Sequence, residues 1–142
     1  MIWFIQILAI QFAISLAKHD APAVSQFEHY GLANKQMARF HRYGWWAKLL
    51  FCLVAAIIPA QWPNTDLLAI AVRGLMAGLW VYLVFDPALN LCRSPRRKLL
   101  YLGLNDADGR FWNGTFGRHA GVWKVIVLGV VIAGINFLNH FL

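Results

Sequence analysis

Ionisable side chains are rare in this sequence, and two of them lie within its longest apolar stretch. Arg73 and Asp86 stand near opposite ends of Leu67–Cys92, a nearly unbroken apolar run around which the rest of the chain is arranged. A charge inside such a run is costly in hydrocarbon and usually faces protein, water or the membrane interface. About 20 Å of helix separates the two, so we expect each to belong to its own polar cluster.

The first expected cluster surrounds Asp86. Asn90 and Arg93 follow it at helical spacing, which places the three side chains on one face of a helix. Besides Arg93, Arg39 and Arg42 from an earlier basic stretch could donate to the carboxylate. The spacing favours a structural ion pair at a membrane boundary. A carboxylate that handles protons or ions is the alternative.

The second expected cluster surrounds Arg73, at the other end of the same run. Its predicted members are Asp66, Asn139 and His140, which lie at a similar depth if the chain crosses a membrane. Lipid headgroups could also bind the guanidinium. The alternative is that Arg73 simply extends to the headgroups along its own apolar stem.

Small residues point to close helix packing. Gly74 and Gly78 form a GxxxG pattern, and Gly129 with Ala133 forms a weaker pair of the same spacing. Small residues one turn apart let another helix approach closely in lipid. Association with another copy or another membrane subunit, and packing within this chain, remain equally open.

Motifs for enzyme chemistry are missing from the sequence. We find no nucleophile elbow, phosphate-binding loop or metal-ligand pattern, and Asn105–Gly109 fails as a calcium loop at the expected ligand positions. Asp106 and Asp108 are instead expected in a turn beside Arg110. A lipid-modifying enzyme would require Asp86, His41 and His119 to meet. We expect no catalytic residue, metal or cofactor.

Composition indicates an integral membrane protein. Of 142 residues, 60% are hydrophobic and 13% charged, with mean hydropathy +0.54, whereas soluble domains carry about 25% charged residues. Seven Trp and ten Phe suit two aromatic interface belts. The net charge of +7 comes from basic residues beside apolar segments, so we expect an anionic membrane leaflet as partner and no nucleic acid.

The apolar segments predict an all-α fold, a four-transmembrane-helix bundle forming one domain over residues 1–142. The predicted spans are residues 2–17, 45–62, 67–92 and 122–142. Gln6 and Gln11 in the first span are expected to bond to neighbouring helices.

The distribution of basic residues predicts the orientation. Lys18–Gly44 and Arg93–Gly121 are rich in Lys and Arg, whereas the turn 61–66 has none. Both long loops are therefore expected in the cytoplasm and both termini outside it, in a bacterial-type inner membrane. Each loop is predicted to hold a short amphipathic helix, the first beginning near Pro22 or Ser25 and the second after Ser94.

One further pattern occurs in the C-terminal half, where FDPALNLCR is followed by YLGLNDADGRFW. It resembles a loose group of small uncharacterised bacterial and phage membrane proteins, and the matching positions are Phe85, Asp86, Asn90, Leu91, Arg93, Tyr101, Gly103, Asp108 and Phe111. The resemblance implies no catalytic activity. It implies that Asp86 and Asn90 hold the second loop against the helix end.

Together these patterns favour a non-enzymatic membrane protein that serves as a structural or accessory subunit of a larger assembly, cellular or phage-borne. Other membrane subunits or further copies of the chain would be its partners. The alternative is a small oligomeric channel, a transporter component or a holin-like pore that uses Arg73 and Asp86 as pathway charges. The middle of the third span lacks strongly polar side chains, which disfavours this alternative.

Overall fold

A computed structural model describes residues 2–30, 34–57, 67–93, 99–100, 102 and 107–141. These residues form four long α-helices, one short α-helix and a 3₁₀ segment, and no strand occurs among them. In chain order they are α1 (Ile2–Tyr30), α2 (Asn34–Ile57), α3 (Leu67–Arg93), α4 (Ala107–Phe116), the 3₁₀ segment Gly117–His119 and α5 (Ala120–Phe141).

The all-helical prediction is confirmed, and two helices meet the length and hydropathy needed to cross a membrane. These are Leu67–Arg93 and the continuous stretch Gly109–Leu138, which contains most of α5. Tyr43–Ile57 is a shorter apolar helix. The predicted end of the second span and the turn after it fall within residues 58–66. These residues lie outside the described part of the chain.

Local structure in the two long loops differs from the prediction. Helix α1 continues through Pro22 to Tyr30, so no separate helix begins near that proline. Leu99 and Leu100 form a turn, in a stretch where a helix was predicted. Ala107–Gly109 belongs to α4, where a turn was predicted. Tertiary contacts explain α1 and α4, because a row of buried alanines continues along α1 and stacked aromatics hold α4 in place.

Helix α3 is the centre of the bundle, since it contacts α1, α2 and α5. Its most extensive contact is with α1, which presents a four-residue repeat of buried small side chains: Ala9, Ala13, Ala17 and Ala21. A repeat of four follows one face of a helix, so this row forms a narrow ridge that lets the two backbones approach closely.

Helix α2 packs on α3 through the predicted GxxxG pattern. A Cβ added to Gly74 would lie 3.2 Å from the Cβ of Ala56, and one added to Gly78 would lie 3.6 Å from the Sγ of Cys52. The rings of Phe12 and Phe51 stack 4.2 Å apart where α1 meets α2. The pattern therefore serves packing within this chain.

Helix α5 lies at the edge of the bundle and touches it along one line. Its buried residues recur every four positions: Ala120, Lys124, Leu128 and Ile132. Large apolar side chains cover the rest of its surface, among them Val122, Ile126, Val130, Phe137 and Leu138. The other long helices also expose large apolar side chains. Among the described side chains, five polar or charged residues are buried: Gln6, Asp20, Arg73, Asn90 and Lys124.

Candidate functional site

A short ion pair joins α3 and α5. Nζ of Lys124 lies 2.6 Å from Oδ2 of Asp86, and the two act as donor and acceptor of a charge-assisted hydrogen bond. The Lys124 side chain is 4% exposed and that of Asp86 28% exposed. Lys124 is therefore the more strongly desolvated partner and depends more on the contact.

Aromatic rings surround this pair. The Lys124 ammonium also lies 3.7 Å from the centroid of the Tyr82 ring, a distance suited to a cation–π interaction. The hydroxyl of Tyr82 accepts a 3.0 Å hydrogen bond from Nε1 of Trp112 on α4. Trp112 in turn stacks on Phe116, which stacks on Trp123. A short chain of contacts thus links the ion pair to the amphipathic helix α4.

The chain after α3 is held against the same end of the bundle. Nδ2 of Asn90 donates a 3.0 Å hydrogen bond to the carbonyl of Leu99. Leu100 then passes so close to α5 that a Cβ on Gly121 would lie 1.9 Å from the Leu100 carbonyl oxygen. Only glycine at position 121 permits this approach. Asn90 and Gly121 therefore fix the loop over the Asp86–Lys124 pair.

The space that remains beside the pair is small. A cavity of about 10 Å³ is lined by both charged residues together with Leu83, Pro87, Leu100, Leu102, Gly121 and Val125. This volume is near the minimum for one water molecule. Ligand pockets typically measure several hundred Å³. The cavity is therefore far smaller than a typical ligand pocket.

Two further charged residues lie at nearly the same depth. The Lys48 ammonium on α2 sits 3.4 Å from the centroid of the Phe85 ring, next to Asp86. Asp20 on α1 is buried, and its Oδ2 would lie 3.9 Å from a Cβ on Gly44, one helical turn from Lys48. His19, which is exposed, pairs with Asp20 at 3.0 Å. We call Asp20, Lys48, Asp86 and Lys124 the charged layer, and each comes from a different long helix.

A second polar layer lies nearer the start of α3. Nε2 of Gln6 on α1 donates a 2.8 Å hydrogen bond to Oδ1 of Asn136 on α5, and Nδ2 of Asn136 donates to the Ile132 carbonyl at 3.1 Å. On α3, Arg73 lies thirteen residues before Asp86. On α5, Phe137 lies thirteen residues after Lys124, the partner of Asp86. Because α3 and α5 run antiparallel, Arg73 lies at the depth of Asn136. We call Gln6, Arg73 and Asn136 the Arg73 layer.

Apolar side chains fill the zone between the two layers. The buried residues there include Ala9, Ala13, Ala77 and Val81, with the Phe12–Phe51 stack beside them. Along the helices this zone spans about 20 Å. The polar groups of the described bundle are thus concentrated near its two ends.

Several predicted site residues have no described side chain. Those of Arg39, Arg42, Asn139 and His140 fall into this group, and Asp66 lies entirely outside the described residues. Asp86, Asn90 and Arg93 lie together on α3, as their spacing predicts. The described partner of Asp86 is Lys124, because this cation on the adjacent α5 reaches the carboxylate directly.

The structure also describes other residues singled out from the sequence. Gln11 lies on the exposed side of α1, and of the two glutamines Gln6 is the one with a described bond to another helix. Gly129 has no atom of another residue near its added Cβ, and Ala133 is exposed, so this pair packs against nothing in the described chain. His119 accepts a hydrogen bond from Nε of Arg118 and is exposed. It forms no described contact with Asp86.

Three members of the charged layer are missing from the predicted clusters: Asp20, Lys48 and Lys124. Lys124 stands inside the apolar stretch Val122–Leu142, and a lone cation in such a stretch is the same signal that identifies Arg73. Asp20 follows the first apolar segment directly and looks like an ordinary loop residue. Its burial depends on α1 continuing as a helix beyond Ala17.

Comparison with known proteins adds no assignment: no family model, no curated protein and no solved structure matches this chain. The charged layer and the Arg73 layer are therefore interpreted from their geometry alone.

Proposed function

We propose that this chain is a non-enzymatic integral membrane protein that serves as a structural or accessory subunit of a larger membrane assembly. The observation that carries the proposal is the distribution of side chains. Large apolar residues cover the described exterior, whereas Gln6, Asp20, Arg73, Asn90 and Lys124 are buried. Water-soluble domains rarely expose apolar surface so extensively, and lipid would cover it.

We further propose four spans in a bacterial-type inner membrane, with both long loops in the cytoplasm. Exposed aromatic residues support this arrangement, because Trp3 and Phe4 lie at the start of α1, and Trp45 and Trp46 precede the apolar part of α2. Such residues are enriched where membrane meets water. Helix α4 would then lie at the cytoplasmic interface, anchored by Trp112.

A role as subunit is supported by the outer face of α5. In the described part of the chain, the buried residues of α5 follow one line, and Gly129, Ala133 and Gly134 lie away from that line. Small residues on a lipid-facing helix allow a helix of another subunit to approach closely. The Gly74–Gly78 pattern is already covered by α2 and is not the surface we assign to a partner.

The test is capture of the tagged full chain in mild detergent, followed by mass spectrometry of stoichiometric partners. Gly129→Leu should reduce partner recovery at least tenfold, because the added side chain blocks close approach. Leu53→Phe, on the exposed side of α2, is the matched control and should leave recovery unchanged. Recovery of the chain as a monomer without partners would contradict the subunit role.

A pore formed by several copies is the second candidate. The two polar layers favour it, because charges and amides within spans often line ion pathways. The apolar zone between the layers means that a path would have to form between copies. Purified protein in liposomes should then conduct ions, and Asp86→Asn should change the flux. Liposomes that stay sealed would exclude this candidate.

A further inference from the structure

Arg73 is a buried charge with a polar atom that the described contacts leave unsatisfied. The residue is 8% exposed, and its Nη1 is buried with no hydrogen-bond partner among the described residues. Two acidic side chains are buried or half-buried in the described bundle, those of Asp20 and Asp86. Both lie in the charged layer, about 20 Å from Arg73 along the helices. Among the described residues, its layer contributes the neutral amides of Gln6 and Asn136.

An unpaired guanidinium in an apolar bundle is strongly destabilising, because its desolvation is not repaid. Arginine nevertheless has a preferred ligand: its planar fork binds both oxygens of a carboxylate or phosphate. The position of Arg73 along α3 indicates how deep in a membrane its ligand would lie. α3 is about 40 Å long, and Arg73 lies two turns from its first residue, Leu67. The guanidinium is thus just beneath the headgroup region if α3 spans a bilayer of about 30 Å.

The surface near Arg73 is open to lipid. Leu67, Leu68 and Leu75 on the same helix are all more than half exposed. Resting on the proposed membrane location, we propose that Arg73 binds a phosphate group at the Leu67 end of the bundle, supplied by a phospholipid headgroup or by free phosphate. The N-terminus of α3 adds a favourable dipole for such an anion.

The experiment uses the full chain, purified in nonionic detergent and stripped of lipid. Phosphatidylglycerol, inorganic phosphate and diacylglycerol, which lacks phosphate, are each titrated while binding is followed by native mass spectrometry and thermal unfolding. Arg73→Met is the test variant, and Arg118→Gln removes an exposed cation as the matched control. Since methionine is apolar and of similar length, Arg73→Met should still fold, which the unfolding curve reports directly.

We expect wild type and Arg118→Gln to bind phosphatidylglycerol at least tenfold more tightly than Arg73→Met, with diacylglycerol unable to distinguish the three. Inorganic phosphate that competes with the lipid, or binds alone in an Arg73-dependent way, also supports the site and identifies the free anion as its source. Equal binding by wild type and Arg73→Met would overturn the proposal.

A partner within the chain is tested by Asp66→Asn. Arg73 is paired internally, and the proposal fails, if two results occur together. The first is that Asp66→Asn lowers the unfolding temperature of the lipid-free protein. The second is that phosphatidylglycerol raises the unfolding temperature of neither wild type nor Asp66→Asn. Partner capture through α5 does not depend on Arg73. Loss of phosphate binding with partner capture intact would therefore leave the proposed subunit role standing.

Discussion

At the scale of single residues, the ion pair between Asp86 and Lys124 has an asymmetric environment. Asp86→Leu leaves the almost fully buried Lys124 ammonium without its carboxylate and should lower the free energy of unfolding by about 3 to 5 kcal/mol. Lys124→Met leaves a carboxylate that is partly exposed, so a smaller loss is expected. Unfolding in detergent measures both.

The double variant provides the control for this prediction. Asp86→Leu combined with Lys124→Met removes both charges, so the protein should recover most of the stability lost in Asp86→Leu alone. A double variant whose loss equals the sum of the single losses would show that the two side chains are not coupled.

Gly121 permits the closest backbone approach between the loop and α5. Gly121→Ala should lower the free energy of unfolding by about 1 to 3 kcal/mol, because Leu100 and α5 must move apart. Gly129→Ala is the matched control in the same helix, with open space at its Cβ, and should be neutral or slightly stabilising. Equal effects of the two changes would contradict this contact.

At the scale of elements, α4 is joined to α3 by the bond from Trp112 to Tyr82. Tyr82→Phe should cost about 1 kcal/mol, and Trp112→Phe should cost more because it also removes buried ring contacts. The double variant should cost about 1 kcal/mol less than the sum of the two single losses. Proteolysis of the loop around α4, followed over time, should be faster in each variant. Additive losses would mean that the bond does not form.

The elements differ in how far the sequence predicts them. Leu67–Arg93 and Ala120–Phe141 are long apolar runs, and their helices follow from composition alone. α4 is a short segment with two glycines, and its amphipathic character is visible only once Trp112 and Phe116 are seen to pack on Leu102 and Ala120. The continuation of α1 through Pro22 likewise depends on Ala17 and Ala21 packing against the bundle.

The contacts of the candidate site also differ in how far the sequence predicts them. The spacing of Asp86, Asn90 and Arg93 correctly places them on one helix, since a helical period is a local property. The pairing of Asp86 with Lys124 is not local. It requires the register between α3 and α5, which the sequence does not supply.

At the scale of the whole molecule, the proposed orientation places Cys92, which is exposed at the end of α3, in the cytoplasm. A membrane-impermeant maleimide should label intact spheroplasts poorly and permeabilised ones efficiently. Cys92→Ser should abolish the signal, since Cys52 is partly covered by α3. Efficient labelling of intact spheroplasts would reverse the assigned orientation.

The contact between Asp86 and Lys124 also bears on how the protein is synthesised. α3 leaves the ribosome before α5, so in the proposed membrane location Asp86 emerges from the ribosome before its cation does. In that location, the contact between α3 and α5 forms only after the last helix has been made. A transcript truncated before Ala120 would yield a product that lacks the cation of this pair.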